Sequence, residues 1–297
     1  MPHVLTLIAP PGGLAAPSLA AVRSALRDLG ASAGTPDWLA PEEAADVPFQ
    51  DLAPEQAVAA ARTALGAAAV DAIAQPAAGR RKLLLLADMD STLVTTETLD
   101  EMAACAGLKD RVAAITRRSM NGELDFRQAL VERVGLLAGL PVAALERTWD
   151  GTELTPGASG LVATMRAAGA HCAIVSGGFT WFTGRLAERL AFHSHHSNTL
   201  VLSQGKLTGK VAEPILDREA KLATLKRLAA EHGLPLSATL AVGDGANDLA
   251  MLQAAGLGVA FRAKPVVAAA ARARVEHSGL RALLFAQGFR ADEIRDR

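Results

Sequence analysis

Two aspartates, Asp88 and Asp90, come directly after a run of apolar residues in the segment KLLLLADMD. Residues with hydroxyl, amide, ammonium or carboxylate groups recur further along the chain: Ser176 and Gly177 in VSGG, Lys221 in DREAKLATL, and Asp244, Asn247 and Asp248 in GDGAND. Carboxylates that crowd together repel one another unless a cation lies among them. An all-oxygen ligand set suits Mg²⁺, which binds through few carboxylates together with a substrate phosphate. These residue types therefore imply a metal site, for which Mg²⁺ is a suitable ion.

The elements that must position these residues are buried strands. The segments KLLLLADMD, AHCAIVSGG and ATLAVGDGAND each begin with an apolar run, end in small and polar residues, and precede a helical pattern. Such runs are typical of strands buried on both faces of a parallel sheet, and the shorter LGVAF is a candidate for another. Ligands bind beyond the carboxyl ends of such strands, so the polar residues should converge there. We expect an α/β fold with a Rossmann-like parallel sheet and helices on both faces.

Each motif also has a less specific interpretation. The spacing of the two aspartates occurs in calcium loops, but an EF-hand needs glycine at its sixth position, where this chain has Leu93, and a helix in front. Alone, VSGG fits a tight strand-to-helix turn, and GDGAND fits a flexible loop of turn-forming residues. Lys221 could be an ordinary solvated lysine on a helix. However, it lies on the same apolar stripe as Leu225 and Leu228, and an ammonium buried there needs an anionic partner.

Residues 96–152 are almost entirely helical in pattern and interrupt the predicted sheet after its first strand. We expect them to form a helical cap over the site. Within them, Asp125 and Gln128 have the spacing of a capping box at the start of a helix. The apolar stripe of that helix consists of Phe126, Leu130 and Leu137. Arg133 falls on this otherwise apolar stripe, which supports a role for it in the site.

The first 78 residues alternate short apolar runs with two helical patterns, in an order that fits β-α-β-β-α-β. This order predicts a small α+β domain of the ferredoxin or ACT type, with either a regulatory role or a structural, dimerising one. The segment AQPAAGRRK has the proline, glycine and charge of a linker. We therefore expect an N-terminal domain at 1–78, a catalytic core at 79–95 and 153–297, and the cap at 96–152.

The balance of charge argues against nucleic-acid and membrane partners. The 297 residues include 30 Lys and Arg and 31 Asp and Glu, without a long block of like charges. Of the two cysteines, Cys105 lies in a helical pattern and Cys172 in an apolar run, and both are expected to be buried and reduced. No charged leader precedes the first apolar stretch, and no apolar run is long enough to span a bilayer, so we expect a cytoplasmic protein.

The motifs DMDST, VSGG and GDGAND, with Lys221 between the last two, resemble in order and spacing the four motifs of the haloacid dehalogenase superfamily of phosphotransferases. This resemblance covers about residues 80–290. The longer strings DSTLVTTETLDEMA, DFRQALVERVGLL, VSGGF and VGDGANDLAML resemble the members that hydrolyse O-phospho-L-serine in the last step of serine biosynthesis. The resemblance implies a haloacid dehalogenase-like core and a Mg²⁺ cofactor. It also implies O-phosphoserine as the small-molecule substrate.

The resemblance also assigns roles at the phosphate. Asp88 would be the nucleophile that forms an aspartyl-phosphate, and Asp90 the general acid and base. Mg²⁺ would be held by the carboxylates of Asp88 and Asp244 and by the backbone carbonyl of Asp90. The transferring phosphoryl group would be bound by three groups, namely Ser176, the amide of Gly177, and Lys221.

The amino-acid part of the substrate would bind under the cap. Glu97 matches the family position for the ammonium and Arg133 that for the carboxylate. Alternatively, Glu97 is only a favourable acid in a first helical turn, and Arg133 a surface side chain. Asn247 would contact the substrate and, with Asp248, position the metal's waters. Family positions that close over the substrate are matched by Met120, Phe126 and Gly178.

Two features leave alternatives open. The segment LAFHSHHSNTLVL departs from the family, which more often has Gly-Leu-Asp there, and its histidines suggest either solvated residues or a transition-metal site formed by His193, His195 and His196. The cap pair favours an amino-acid substrate but does not identify water as the acceptor. Action on another small phosphate ester, or transfer to homoserine, is therefore an alternative function, and an amino-acid sensor with a vestigial phosphatase half is another. A homodimer formed through the N-terminal domain is a further expectation.

Overall fold

The computed structural model describes residues 1–120 and 123–295. Its strands form a six-stranded sheet, a five-stranded sheet near the N-terminus and a two-stranded hairpin. The side chain of Met120, one of the residues predicted to close over the substrate, lies outside the described part. Within that part, no helix combines the length and the apolar character needed to cross a bilayer.

The six-stranded sheet positions the site. Its strands are β6 (Leu84–Ala87), β7 (His171–Phe179), β8 (Ser194–Asn198), β11 (Thr239–Gly243), β12 (Leu257–Phe261) and β13 (Ala273–Val275). They pair in parallel in the order β13-β12-β11-β6-β7-β8. Every residue of β6 is buried, as expected of a strand covered on both faces. The predicted Rossmann-like sheet is confirmed, and all four apolar runs are strands.

The two edge strands, β8 and β13, were not predicted. β8 has the polar sequence SHHSN, and β13 has only three residues. An edge strand pairs on one side and tolerates polar residues, so neither strand shows the continuous apolar run of a central strand.

The alternative of a transition-metal site in the histidine segment is wrong. His195 and His196 lie in β8, not in a loop, and Nδ1 of His195 lies 3.0 Å from the Thr183 hydroxyl. Nδ1 of His193 instead accepts the amide N–H of Cys172 at 3.0 Å. Among the described residues, the group placed to hold a metal consists of aspartates alone.

Helices cover both faces of the six-stranded sheet. They are α7 (Ala158–Ala167), α8 (Thr180–Leu190), α9 (Arg218–Glu231), α10 (Leu249–Ala254), α11 (Pro265–Ala270) and α12 (Ala282–Ala286). Neighbouring residues of β6 enter different hydrophobic clusters, Leu85 in one and Leu84 in the other. The second cluster includes Leu225 of α9. The predicted apolar stripe of α9 therefore faces the sheet, and Lys221 on that stripe is buried.

The insertion after β6 is helical, as predicted. Its helices are α3 (Thr98–Cys105), α4 (Lys109–Met120), α5 (Phe126–Gly135) and α6 (Val142–Asp150). The predicted capping box is present, since the amide of Gln128 donates to Oδ1 of Asp125 at 2.7 Å and the amide of Asp125 donates to Oε1 of Gln128 at 3.0 Å. The hairpin of β9 (Leu200–Ser203) and β10 (Lys206–Val211) packs against α5.

One cysteine differs from the prediction. Cys172 in β7 is buried, but Cys105 is exposed. Cys105 is the last residue of α3, where the chain turns away through Gly107, so the core does not cover its outer side.

The five-stranded sheet lies near the N-terminus. Its elements are β1 (His3–Ile8), α1 (Ala16–Asp28), β2 (Ser32–Ala33), β3 (Asp37–Ala40), β4 (Ala44–Gln50), α2 (Pro54–Leu65) and β5 (Asp71–Pro76). The strand order is β2-β4-β1-β5, and β3 pairs with β4 as well. The β-α-β-β-α-β prediction is therefore confirmed in outline, with two short strands, β2 and β3, where one was expected.

This sheet packs against the rest of the chain. Ile8 and Ile73, from one face of the sheet, belong to the same hydrophobic cluster as Phe285 of α12. The other face packs with α1 and α2 around Phe49 and Val22. The predicted domain limits and the homodimer stay predictions.

Candidate active site

The loops that follow β6, β7 and β11 meet at the carboxyl edge of the parallel sheet and line a cavity of about 500 Å³. The predicted site residues that line it are Asp88, Asp90, Glu97, Arg133, Ser176, Gly177, Asp244 and Asn247. Lys221 lies beneath the cavity in contact with Asp88. The structure thus brings all of the predicted site residues together, and their individual roles stay predictions.

Lys221 and two aspartates form the floor of the cavity. The ammonium of Lys221 lies 2.7 Å from Oδ2 of Asp88 and 2.6 Å from Oδ1 of Asp248, and only 3% of its side chain is exposed. Burial alone would lower the pKa of Lys221, but the two carboxylates outweigh burial and raise that pKa. A Cβ at Gly243 would lie 2.3 Å from Cγ of Asp248, so only glycine lets this carboxylate approach the end of β11.

The carboxylates on this floor outnumber the single ammonium. Burial, and then the charge of Asp248, raise the pKa of Asp88 well above its ordinary value, against the opposing charge of Lys221. Burial, and then Asp248 and Glu97, raise the pKa of Asp244 to about 6. Carboxylate oxygens of Asp88, Asp244 and Asp248 lie within 4.8 Å of one another. This excess of negative charge is the environment that a divalent cation neutralises.

The loop after β6 turns Asp90 toward the cap. The backbone amide of Thr98, the first residue of α3, donates to Oδ1 of Asp90 at 3.0 Å. Burial, and then the charge of Glu97, raise the pKa of Asp90 to about 7, which suits a group that exchanges a proton near neutral pH. In the same loop Ser91 has a left-handed φ of 53°, and its hydroxyl donates to Oε1 of Glu97 at 2.7 Å. The strained turn thus fixes an acid at the cap side of the site.

The motif VSGG, which is predicted to bind phosphate, forms a bulge in β7. β8 pairs with β7 at residues 173–175 and again at Phe179, so residues 176–178 lie outside the ladder. The amide of Gly178 donates to Oγ of Ser176 at 2.9 Å, which leaves the hydroxyl hydrogen of Ser176 available to a phosphate oxygen. A Cβ at position 178 would lie 3.0 Å from Oδ2 of Asp90, which explains the glycine there.

The cap supplies a base and two acids to the other end of the cavity. Arg133 and Asp100 line it together with Glu97. Nε of Arg133 donates to the carbonyl of Ala129 at 3.2 Å, and no carboxylate in the described part of the chain forms an ion pair with the guanidinium. Burial lowers the pKa of Arg133, opposed by Asp100 and Glu97, although a guanidinium remains charged. A ligand with both a carboxylate and an ammonium matches these groups.

The ring of Phe126 covers the VSGG bulge of β7. A Cβ built on Gly177 would lie 3.2 Å from Cζ of this ring. The first residue of α5 therefore reaches the site from the cap, and its predicted position over the substrate stays a prediction.

The model of the haloacid dehalogenase-like hydrolase family matches residues 85–253, more than half of the chain. The chain belongs to the haloacid dehalogenase-like hydrolases. This membership confirms the superfamily that was predicted from the motifs.

The chain is similar in sequence or structure to several individual proteins. A phosphoserine phosphatase from Streptomyces coelicolor is 47% identical over 225 residues, which are 75% of this chain and 55% of that protein. A crystal structure of a HAD family hydrolase from Salmonella enterica serovar Typhi is similar with a TM-score of 0.83 and 30% identity, covering 96% of this chain and 98% of that one. A substrate-bound phosphoserine phosphatase complex is 40% identical with a TM-score of 0.65, covering 69% of this chain and 98% of that one. The chain spans about half the length of the first curated relatives it matches.

The donor set fits the divalent metal that phosphatases of this family generally use. The charge of the site supports this fit. Carboxylate oxygens of Asp88, Asp244 and Asp248 lie close together, and a single ammonium, that of Lys221, contacts two of these carboxylates. Hard divalent cations prefer oxygen ligands of this kind. Asp248 belongs to this cluster more directly than predicted, since it contacts Lys221 and lies beside the predicted ligands.

The residues of the cavity that were not singled out from the sequence include Ser91, Asp100 and Lys264. Lys264 follows β12 and directly precedes α11, so the rule that ligands bind beyond strand ends could have indicated it. Ser91 lies inside the DMDST motif, but its left-handed backbone has no signature in the residue types. Asp100 is one of several acids in the first turns of the cap, and no pattern distinguishes it from the others.

Proposed function

We propose that the protein is a Mg²⁺-dependent phosphoserine phosphatase, which hydrolyses O-phospho-L-serine to L-serine and phosphate. The observation that supports this function best is the arrangement of the two ends of one cavity. Paired aspartates with a buried lysine lie at one end, and a base with acids lies at the other. The substrate-bound phosphoserine phosphatase to which the chain is similar has this function by name.

Asp88 is the nucleophile in this proposal. One carboxylate oxygen attacks phosphorus, forming an aspartyl-phosphate while the bond from phosphorus to the seryl oxygen breaks. Asp90 donates its proton to the departing seryl oxygen, and its raised pKa keeps that proton available near neutral pH. In the second step Asp90 takes a proton from water, whose oxygen attacks phosphorus and releases phosphate and the Asp88 carboxylate.

Three groups hold the phosphoryl oxygens in both steps. The Ser176 hydroxyl and the Gly177 amide belong to the bulge of β7, which lies outside the backbone pairing with β8. Lys221 adds a positive charge beside Asp88. Fixed donors of this kind bind the charge that spreads over the equatorial oxygens during transfer.

Mg²⁺ would be held by the carboxylates of Asp88 and Asp244 and the backbone carbonyl of Asp90, with Asp248 and Asn247 around it. When bound, the ion supplies the positive charge that screens the nucleophile from the anionic phosphate.

The cap residues select the amino acid. The guanidinium of Arg133 binds the substrate carboxylate, and Glu97 binds the ammonium in the orientation set by Ser91. A phosphate ester without these two groups would bind only at the phosphate end.

Phosphate release from a panel of substrates tests the proposal. The panel contains O-phospho-L-serine, O-phosphothreonine, O-phosphohomoserine and an aryl phosphate, each with Mg²⁺ and with a chelator. We expect the highest kcat/KM for phosphoserine and loss of all activity with the chelator. Comparable kcat/KM for every ester would remove the assigned substrate while leaving the aspartate chemistry in place.

A further inference from the structure

Asn198, the last residue of β8, connects the two segments that hold the phosphate. Its side chain is 1% exposed and lies outside the cavity lining. It donates to the carbonyls of Gly177 at 2.9 Å and of Leu216 at 3.3 Å, and its Oδ1 accepts the amide of Leu216 at 2.7 Å. Both hydrogens and the oxygen of this amide are therefore used.

The first contact fixes a peptide plane of the phosphate-binding bulge. The Gly177 carbonyl that accepts from Asn198 belongs to the same peptide unit as the Gly178 amide, which donates to Oγ of Ser176 at 2.9 Å. The plane is thus held on both sides. Because Oγ of Ser176 accepts from this amide, its own hydrogen points elsewhere, and the position of the plane decides where the hydroxyl can donate.

The second contact fixes the start of the helix that presents Lys221. Leu216 directly precedes Asp217, whose carboxylate accepts the amides of Glu219 and Ala220 at 2.9 and 3.1 Å as the N-cap of α9. Lys221 follows in the next position of the same helix. Through Leu216, Asn198 therefore holds the beginning of α9 at a set distance from the bulge of β7.

The ladder places Asn198 where these contacts can form. Asn198 is the register partner of Phe179, the point at which β8 pairs with β7 again after the bulge. Anchored on the strand beside the bulge, a short and rigid amide reaches both segments, whereas backbone pairing alone leaves residues 176–178 without partners in β8.

We propose that Asn198 is a positioning residue for phosphoryl transfer, which sets the separation between the Ser176 hydroxyl and the Lys221 ammonium. This inference rests on the proposed function for the identity of the group that these residues bind. It predicts that Asn198 affects the phosphate end of every substrate equally and leaves recognition of the amino acid unchanged, since its hydrogen bonds are to Gly177 and Leu216 and not to Glu97 or Arg133.

The test is the variant Asn198→Asp, which keeps the shape and the acceptor for the Leu216 amide but turns a donor into an anion facing two carbonyls. We expect kcat/KM to fall by about 10–100-fold for phosphoserine and by the same factor for an aryl phosphate, as for other residues that orient binding groups. The inhibition constant of inorganic phosphate should rise by a similar factor.

The variant Gln75→Ala provides a matched control, because Gln75 is another buried amide and donates to the carbonyl of Ala286 at 2.6 Å, away from the cavity. It should lower the melting temperature without changing the inhibition constant of phosphate. An unchanged phosphate inhibition constant in folded Asn198→Asp, or the same rise in Gln75→Ala, would overturn the proposal. If Asn198→Asp does not fold, Asn198→Ser replaces it, and failure of both to fold makes Asn198 a purely structural residue.

The aryl phosphate and inorganic phosphate separate this proposal from the proposed function. A wild type that hydrolyses the aryl phosphate but not phosphoserine would contradict the assigned substrate. The effect of Asn198→Asp on the aryl phosphate and on phosphate inhibition would still decide the role of Asn198.

Discussion

The arrangement of charge around Asp88 shows what its proposed role as the nucleophile requires. Burial and Asp248 favour its protonated form, and Lys221 opposes them from 2.7 Å. A carboxylate attacks phosphorus only when it is ionised, so one ammonium among these acids leaves a need for further positive charge. In the proposed mechanism, Lys221 and a bound divalent cation would together supply the positive charge that keeps Asp88 ionised.

Arg133→Ala tests the recognition of the substrate carboxylate. Loss of a hydrogen-bonded ion pair should lower kcat/KM for phosphoserine by roughly 100-fold, while kcat/KM for an aryl phosphate changes by less than about 3-fold. Arg127→Ala is the matched control, because Arg127 is an exposed arginine of the same helix and pairs with Glu213. Equal losses on both substrates would show that Arg133 supports the cap and does not recognise the amino acid.

Residue types in the motifs were enough to predict many members of the site but not their exact contacts. Asp88, Ser176 and Asp244 follow apolar runs, and the rule for parallel sheets places such strand ends together. The hydrogen bond between Ser91 and Glu97 depends on a left-handed residue, and the contact of Lys221 with Asp248 depends on how α9 packs. Neither is encoded in a local pattern.

At the scale of elements, the histidine-rich segment forms part of a stack of rings. His171, at the start of β7, lies between His193 and His232, with ring centroids 4.7 and 4.2 Å away. The sequence showed only that histidines recur near residue 195. The stack combines residues from β7, from the turn before β8 and from the end of α9, so it could not be predicted before the packing of these elements was known.

This stack predicts acid-sensitive stability. Burial, and then His232, His193 and His196, lower the pKa of His171 to about 4, with Glu231 opposing them. The unfolded chain protonates this ring near pH 6.5, so unfolding takes up a proton and stability falls as the pH decreases from about 6.5 to about 4. Urea unfolding at several pH values should show a smaller decrease for His171→Asn than for wild type. Identical pH dependence in the two proteins would contradict this account.

At the scale of the whole molecule, the N-terminal sheet is fastened to the core by a buried carboxylate. Asp71, at the start of β5, is 4% exposed, and its oxygens accept the backbone amides of Glu276, His277 and Ser278 at 2.7 to 3.3 Å. These amides follow β13, the edge strand of the parallel sheet. Composition predicted a separate N-terminal unit, but only the structure shows that it is attached at this edge, because the partners are more than 200 residues apart in sequence.

Asp71→Ala tests this attachment. Three backbone amides would lose a charged acceptor, so the free energy of unfolding should decrease by about 2–4 kcal/mol in urea titrations, while kcat/KM stays near the wild-type value. Asp28→Ala, at an exposed position of α1, should change stability by less than about 0.5 kcal/mol. A loss of activity in folded Asp71→Ala would instead show that the N-terminal sheet acts on the catalytic site.

Locating the phosphoryl group during turnover tests the assignment of Asp88 as the nucleophile. The enzyme is quenched in acid while it hydrolyses O-phospho-L-serine labelled in the phosphoryl group, and the labelled peptide is identified by mass spectrometry. We expect label on Asp88 in the wild type, and neither label nor turnover above about a thousandth of the wild-type rate in Asp88→Asn. Turnover of phosphoserine with label on another residue, or undiminished turnover in Asp88→Asn, would contradict it.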